Sequence, residues 1–301
     1  MPAHSSHTIK VILAYLSVYL IWGSTYLAMR FGIYDIPPAL FAGLRFFAAG
    51  SALFAFGFLR HRQLPGDGRT LGILVIVGLF LLVGGNAMVV WSVQWVHTGV
   101  AALIIATVPL FMSSIDSLVP GGDKLSAFGW LGILLGFAGI AILVSPNIGL
   151  LEGDVSRPEG IAALIFASLS WSIGSVYSRR HKIAGDIVVN AGIQNLAAGL
   201  VLISIALATG EPAQVSLTPS GLIALLYLIV FGSIIGFTSY TFLLRHVPAA
   251  KASTYAYVNP VIAVILGVLV LSEPLDFRTV IATVVILGGV GIVQASKMRT
   301  R

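Results

Sequence analysis

Tyr15, Tyr19, Trp22 and Tyr26 fall four, three and four residues apart, which puts all four rings on one face of a helix. The run around them, LSVYLIWGSTYLAMRFG at 16–32, is otherwise apolar. Trp22 stands about twelve residues along it, roughly 18 Å of helix rise. An indole N–H or a phenol at that depth of a bilayer needs a partner. Interfacial anchoring of the kind Trp and Tyr favour accounts for Tyr15 at most, so Trp22 and Tyr26 are expected to face a cavity or another helix. Trp171, flanked by Ser168, Ser175 and Ser178, forms a similar stripe. Asn86 in VGGNAM, the Thr238, Ser239 and Tyr240 triplet, and Ser253, Tyr257 and Asn259 add amides and hydroxyls inside apolar runs. Such side chains either glue helices together or hold the polar ends of a small solute between rings. The candidate cavity residues are Trp22, Tyr26, Asn86, Trp171, Tyr240 and Tyr257.

Charge at membrane depth is scarce. Arg45 lies seven residues after Pro38, about 10 Å deep at 1.5 Å per residue. It is expected either to snorkel outward or to meet a solute carboxylate or a gate partner such as Asp35. Asp116 sits near a span end and reads as an interface residue, and His97 and His246 sit at span ends as solvated side chains. Proton-coupled pumps place a carboxylate or His deep in the path; none stands out, which favours facilitated movement. Pro109 and Pro260 lie mid-span, where proline removes a backbone hydrogen bond and kinks a helix; both are candidate hinges. With no cysteine and no His cluster, neither a metal nor a cofactor is expected.

The surrounding composition says what must position these groups. The chain has 301 residues, 57% apolar and 9% charged, where soluble proteins carry about a quarter charged residues; its mean hydropathy is +0.99. The bilayer is the expected solvent. The first apolar run is about twice as long as a signal-peptide core and has no small-residue cleavage site, so it reads as a retained transmembrane helix. Ten segments are long enough to span: 10–31, 38–59, 71–93, 97–119, 125–145, 159–179, 187–209, 220–243, 249–271 and 275–296. IPP, LPGDG, PGGDK, EGDVSRPEG, GEP and SEP mark breaks between them.

Ten spans put both termini on one side. Lys10, Arg60, Arg62, Arg69, Lys124, Arg179, Arg180, Lys182, Arg245, Lys251, Lys297, Arg299 and Arg301 then share that side, against Arg30, Arg157 and Arg278 opposite. Acids including Asp35, Glu152, Asp154, Glu211 and Glu273 stand opposite too. The positive-inside rule makes the terminus side cytoplasmic. The net charge of +6 is therefore an orientation signal, and no nucleic-acid partner is expected.

The chain also repeats. AGLRFFAAG at 42–50 matches AGIQNLAAG at 191–199, Trp22 matches Trp171, Pro109 matches Pro260, and GFAGI at 136–140 matches GGVGI at 288–292, with offsets from 149 to 152. Five spans per repeat, at 10–145 and 159–296, force the second repeat into the membrane upside down. Loop charge agrees: 60–69 is basic while its mate near 210–218 has no Lys or Arg. Inverted repeats are the ground plan of many secondary transporters, with the solute site at the repeat interface. The fold class is thus all-α, ten transmembrane helices in two inverted five-helix repeats. GxxxG spacings at 132/136 and 232/236 are expected to serve contacts within the chain.

IWGSTYLAMRFG, AGLRF, ATVP, VNP and SEPL, in that order over ten spans, resemble the EamA-type drug/metabolite transporter superfamily, and within it the bacterial exporters of aromatic and neutral amino acids. The resemblance implies a basket-shaped exporter of the inner membrane working by alternating access. It further implies spans 1, 3, 4, 6, 8 and 9 around a cavity and spans 5 and 10 outside. Amino acids and the lipid bilayer are the partners it implies; the oligomeric state stays open, a monomer being compatible. Efflux of drugs or other small metabolites is the alternative within transport. Cation export would call for a carboxylate that span 1 lacks, and phosphorylated solutes for more cations than Arg45. An integral-membrane enzyme would show acidic metal motifs or His clusters, and a bare scaffold would leave the mid-span Trp, Tyr and Asn residues without purpose.

Overall fold

The structure, a computed structural model, describes residues 2–122, 124–144, 157–181, 183–247 and 252–299. The charged residues Glu152, Asp154, Lys182, Lys251 and Arg301 lie outside them. Among the described residues ten long helices run in order: α1 Pro2–Asp35, α2 Pro38–Leu59, α3 Gly68–Ser92, α4 Thr98–Leu118, α5 Ala127–Val144, α6 Pro158–Arg180, α7 Ile187–Ala208, α8 Pro219–His246, α9 Tyr255–Leu271 and α10 Phe277–Arg299. Among the described residues nine are long and apolar enough to cross a bilayer, and α9 is the shorter tenth. The protein is a multi-pass, all-helical membrane protein built of two repeats.

Helix starts follow from local chemistry. Asp67 caps α3, accepting from the Thr70 backbone N–H at 2.6 Å and its hydroxyl at 2.9 Å. These two bonds, the backbone one first, hold the Asp67 carboxyl below its usual range. Asp186 caps α7 by accepting from Val188 N. Two further starts are capped from distant loops. Glu211, just after α7, accepts from Leu40 N at 2.6 Å at the start of α2. Glu273, just after α9, accepts from Thr98 N at 2.7 Å, the Thr98 hydroxyl at 2.9 Å and Gly99 N at 3.2 Å at the start of α4. A carboxylate at a helix N-terminus satisfies orphan donors and complements the helix dipole. Both caps reach across repeats and so fasten one half to the other.

Packing shows the inverted relation directly. α1 packs on α8 and α9, while α6, its repeat mate, packs on α3 and α4. Each repeat thus lays its first helix against the third and fourth of the other. α2 pairs with α7, and α5 with α10. Glycine sets both separations: a Cβ at Gly50 would come 2.5 Å from Leu196 N, and one at Gly132 would come 2.8 Å from the Gly289 carbonyl. Gly132 therefore serves α5–α10 contact inside the chain and Gly136 makes room for Leu110 of α4, whereas Gly232 and Gly236 make room for the side chains of Arg45 and Trp22.

Two features are absent from any sequence pattern. α3 widens into a π-helix over Leu79–Ala87, and α8 does so over Leu228–Phe237, at matching places in the two repeats. Each wide turn gives a carbonyl to the first helix of the other repeat: Trp22 Nε1 donates to Gly232 O at 3.3 Å, and Ser170 Oγ to Phe80 O at 2.7 Å. The two mid-span prolines also differ in effect. α4 is interrupted at Ala106 and Thr107 and restarts at Val108. Pro109 therefore sits in a first helical turn, where its missing N–H costs nothing. Pro260 lies within α9, which continues through it.

Candidate functional site

At the repeat interface a chamber opens. Its wall takes Trp22, Thr25, Tyr26 and Met29 from α1, Arg45 from α2, Gly85, Asn86 and Val89 from α3, Ile105 and Val108 from α4, Ala167 and Trp171 from α6, and Tyr255 and Asn259 from α9. Helix α2 contributes where the family resemblance did not place it, and α8 stands one layer back. The chamber is tight: a water's centre can move over about 50 Å³ of it. That is room for a few waters at roughly 10–15 Å³ each, so a ring-bearing solute enters only with movement of the walls.

Arg45 is the charged group of the wall, and it does not snorkel; it is 2% exposed. Its Nε donates to Ser233 Oγ at 2.9 Å and its Nη1 to Asn86 Oδ1 at 3.0 Å. Among the described residues no carboxylate forms an ion pair with it. Asp35, the partner considered from sequence, is engaged elsewhere: it accepts from the Thr218 hydroxyl, and its carbonyl accepts from Ser216 N at 2.8 Å. Arginine keeps its charge in any protein setting. Two neutral acceptors therefore leave a cation facing the chamber without a counter-charge, an arrangement that favours an anionic group arriving from outside.

Behind the wall lies a cluster of rings. Trp22 meets Trp171 edge-on with centroids 5.4 Å apart, and its ring centroid is 5.2 Å from those of both Tyr240 and Tyr255. Tyr240 is fully buried; its hydroxyl accepts from Trp171 Nε1 at 3.0 Å and bonds the Ser175 hydroxyl at 2.8 Å. So Trp22, Tyr26, Asn86 and Trp171 are brought together on the wall with Arg45, while Tyr240 locks Trp171 from behind. Tyr257 points the other way, packing on Leu110, Ile133, Val290 and Val293 beside α5 and α10. Ser253 shares that face, accepting from Gln294 Nε2 at 3.2 Å.

Tyr255, Thr25, Met29 and Asn259 are among the lining residues that sequence reasoning did not select. A signal existed on α9: Tyr255 and Asn259 are four apart and share a face, two residues out of phase with Tyr257. With its NH2 turned to the carbonyls of Tyr19 at 3.0 Å and Tyr255 at 3.3 Å, the Asn259 amide ties α9 to α1 at the chamber wall. Of the remaining sequence candidates, Ser168 bonds the carbonyls of Leu164 and Ile104 as helix glue, and Asp116 pairs with Arg180 at 3.1 Å near the terminus face.

The EamA-like transporter family matches the chain twice, over residues 9–145 and 158–294. The inner membrane transporter YedA of Escherichia coli strain K12 is 41% identical over 285 residues, covering 94% of this chain and 90% of that protein. The transporter YoaV of Bacillus subtilis strain 168 is 28% identical over 283 residues, covering 94% and 96%. A solved crystal structure superposes with a TM-score of 0.69 at 22% identity, over 98% of this chain and 99% of that one; at that identity the likeness speaks for the fold.

Proposed function

This chain belongs to the EamA-like transporter family, and on that premise we propose that it exports neutral and aromatic amino acids, with broad selectivity, from the cytoplasm across a bacterial inner membrane. The family is one of transporters, so the chain is a membrane transporter and not an enzyme. The observation that carries the choice of cargo is the buried Arg45 guanidinium, without a carboxylate partner among the described residues and set in a wall of Trp22, Tyr26, Trp171 and Tyr255. A cation suits the cargo's carboxylate, the amides and hydroxyls of the wall suit its ammonium, and the rings suit an apolar or aromatic side chain. A pocket that discriminates through apolar contact separates similar solutes by only about 1–3 kcal/mol per methylene, hence the broad selectivity. The plan supports alternating access: two inverted units are fastened on one face by Glu211 and Glu273 and on the other by the Arg62–Asp186 and Arg180–Asp116 pairs. The loop charges support a cytoplasmic terminus face.

The test is flux. Purified protein in lipid vesicles is expected to move labelled threonine, methionine and phenylalanine faster than empty vesicles do. Flux no greater than that of empty vesicles for all three would remove the assignment. Repeating the panel with an imposed pH gradient tells facilitated from proton-coupled movement.

A further inference from the structure

Two hollows open on the face where α1 begins and α10 ends. One lies among α6, α7 and α8, with Arg179, Asn190, Gln194 and Arg245 in its wall. The other is a groove between α1 and α7. The last stretch of α8, Thr238–His246, packs on both of those helices and floors it. A water's centre can move over about 430 Å³ of the groove. Helix spacing builds its walls. Lys10, Leu13, Ala14 and Ser17 of α1 stand three, one and three residues apart, in one stripe. Ile187 and Val188 face them from α7, and Ser239 and Phe242 from α8. Leu13 also belongs to a second stripe, Ile9, Leu13, Leu16 and Leu20, every member of which is exposed. On a membrane-spanning helix that stripe faces acyl chains, so the groove opens sideways into the bilayer.

Charge collects at its mouth. Lys10 and Arg62 stand in the wall with a single acid, Asp186. That acid is committed: Oδ1 accepts from Val188 N at 2.9 Å and Oδ2 from Arg62 Nη1 at 3.4 Å. The Arg62 side chain is still 50% exposed. Lys10 is exposed and forms no ion pair among the described residues. Two cations against one acid leave one positive charge over. A water-soluble anion would answer that charge and leave Leu13, Val188 and Phe242 uncovered. A neutral lipid chain would cover them and leave the charge unanswered. A zwitterionic lipid would bring an ammonium to a wall whose carboxylate is already engaged. A phospholipid with one net negative charge meets both needs, and basic pockets between membrane helices bind such headgroups.

We propose that this groove binds one anionic phospholipid from the leaflet on the terminus face, its phosphodiester at Lys10 and Arg62 and an acyl chain along Leu13, Val188 and Phe242. Such a lipid bridges the repeats, since α1 and Arg62 belong to the first and α7 and α8 to the second. The inference is independent of which cargo the transporter moves.

The absence of cysteine allows a direct test. Ser239→Cys in the full-length protein carries a bimane in the groove, and Leu134→Cys carries one on the exposed face of α5. Each is placed in phosphatidylcholine vesicles containing brominated phosphatidylglycerol or brominated phosphatidylethanolamine, and quenching gives the preference of that surface over phosphatidylcholine. At Ser239→Cys phosphatidylglycerol is expected to be preferred about fivefold or more, the scale of one cation near a membrane surface. At Leu134→Cys, and for phosphatidylethanolamine at both positions, the preference is expected to stay near one. Ser17→Cys on the opposite wall repeats the measurement should the bimane at Ser239→Cys fill the groove. Adding Lys10→Gln and Arg62→Gln, both at exposed positions, is expected to bring the groove down to the Leu134→Cys level; Lys10→Gln alone lowers it in part and keeps the test open should the double variant fold poorly. No quenching at either groove position overturns the lipid site, and so does a phosphatidylglycerol preference no greater there than at Leu134→Cys. Phosphatidylethanolamine preferred as strongly as phosphatidylglycerol overturns the anionic assignment. A preference unchanged by the cation variants overturns the placement of the phosphodiester.

Discussion

Arg45 on α2 and Gln194 on α7 occupy matched places in the two repeats, on helices that pack along each other, and both are buried. Their surroundings differ. Arg45 has two acceptors and a tight chamber, whereas Gln194 has an unpaired oxygen and a roomy cavity. The acceptors explain the difference. Asn86 and Ser233 come from α3 and α8, and the residues 149–151 away from them, Ile235, Gly236 and Phe237 in one case and Leu82, Val83 and Gly84 in the other, have no polar side chain. Duplication therefore supplies the frame twice, with its paired helices and π turns. The charged cradle is supplied once, because the two repeats carry different residues at these matched positions.

The largest expected effect comes from breaking that cradle. Arg45→Leu is expected to cut phenylalanine flux about 100-fold or more, as truncation of a buried, hydrogen-bonded charge costs about 2–5 kcal/mol; an unchanged elution profile in size-exclusion chromatography separates this from misfolding. Arg45→Lys keeps the charge and loses the planar fork, so an intermediate loss of about 10-fold is expected. Transport unaffected by either would mean the broken symmetry has no bearing on cargo.

Next in size is the ring cluster shared by both halves. Tyr240→Phe leaves the Trp171 N–H without its acceptor and the Ser175 hydroxyl with only its bond to the Trp171 carbonyl. A loss of about 1–3 kcal/mol in stability is expected, read as a lower thermal midpoint in detergent. Gly132→Val should cost about 1–3 kcal/mol as well by overpacking the α5–α10 contact, but with the half-saturating phenylalanine concentration unchanged. That contrast separates the centre of the molecule from its edge. The smallest effect belongs to Tyr257→Phe: its ring packs beside α5 and α10, so flux and half-saturation are expected to stay at the wild-type level.

The sequence reveals more of the frame than of the site, and the reasons are physical. Spans and their order are local properties, set by about 20 apolar residues between turn residues, and all ten helices stand where those runs predict. The repeat is legible because matched helices keep matched small residues, as at Gly43, Gly50, Gly192 and Gly199, where backbones approach. The π turns of α3 and α8 are not legible, since their displaced carbonyls are taken up by Trp22 and Ser170 from distant helices. Arg45's partners are likewise long-range: nothing near AGLRF announces Asn86 or Ser233. On α9 the choice between Tyr255 and Tyr257 turns on helix phase, and the polar pair Ser253 and Tyr257 proved to face α10. Pro109 shows the same limit: the sequence gives the residue, while the break at Ala106 and Thr107 turns it from a kink into a helix start.

The proposed carboxylate site at Arg45 is tested most directly by competition. In wild-type vesicles phenylalaninamide, whose carboxylate is neutralised, is expected to inhibit labelled phenylalanine flux about tenfold more weakly than phenylalanine itself, the scale of one charge-assisted hydrogen bond. In Arg45→Gln that difference is expected to vanish. Equal inhibition in the wild type, or a difference that survives in the variant, would contradict the account.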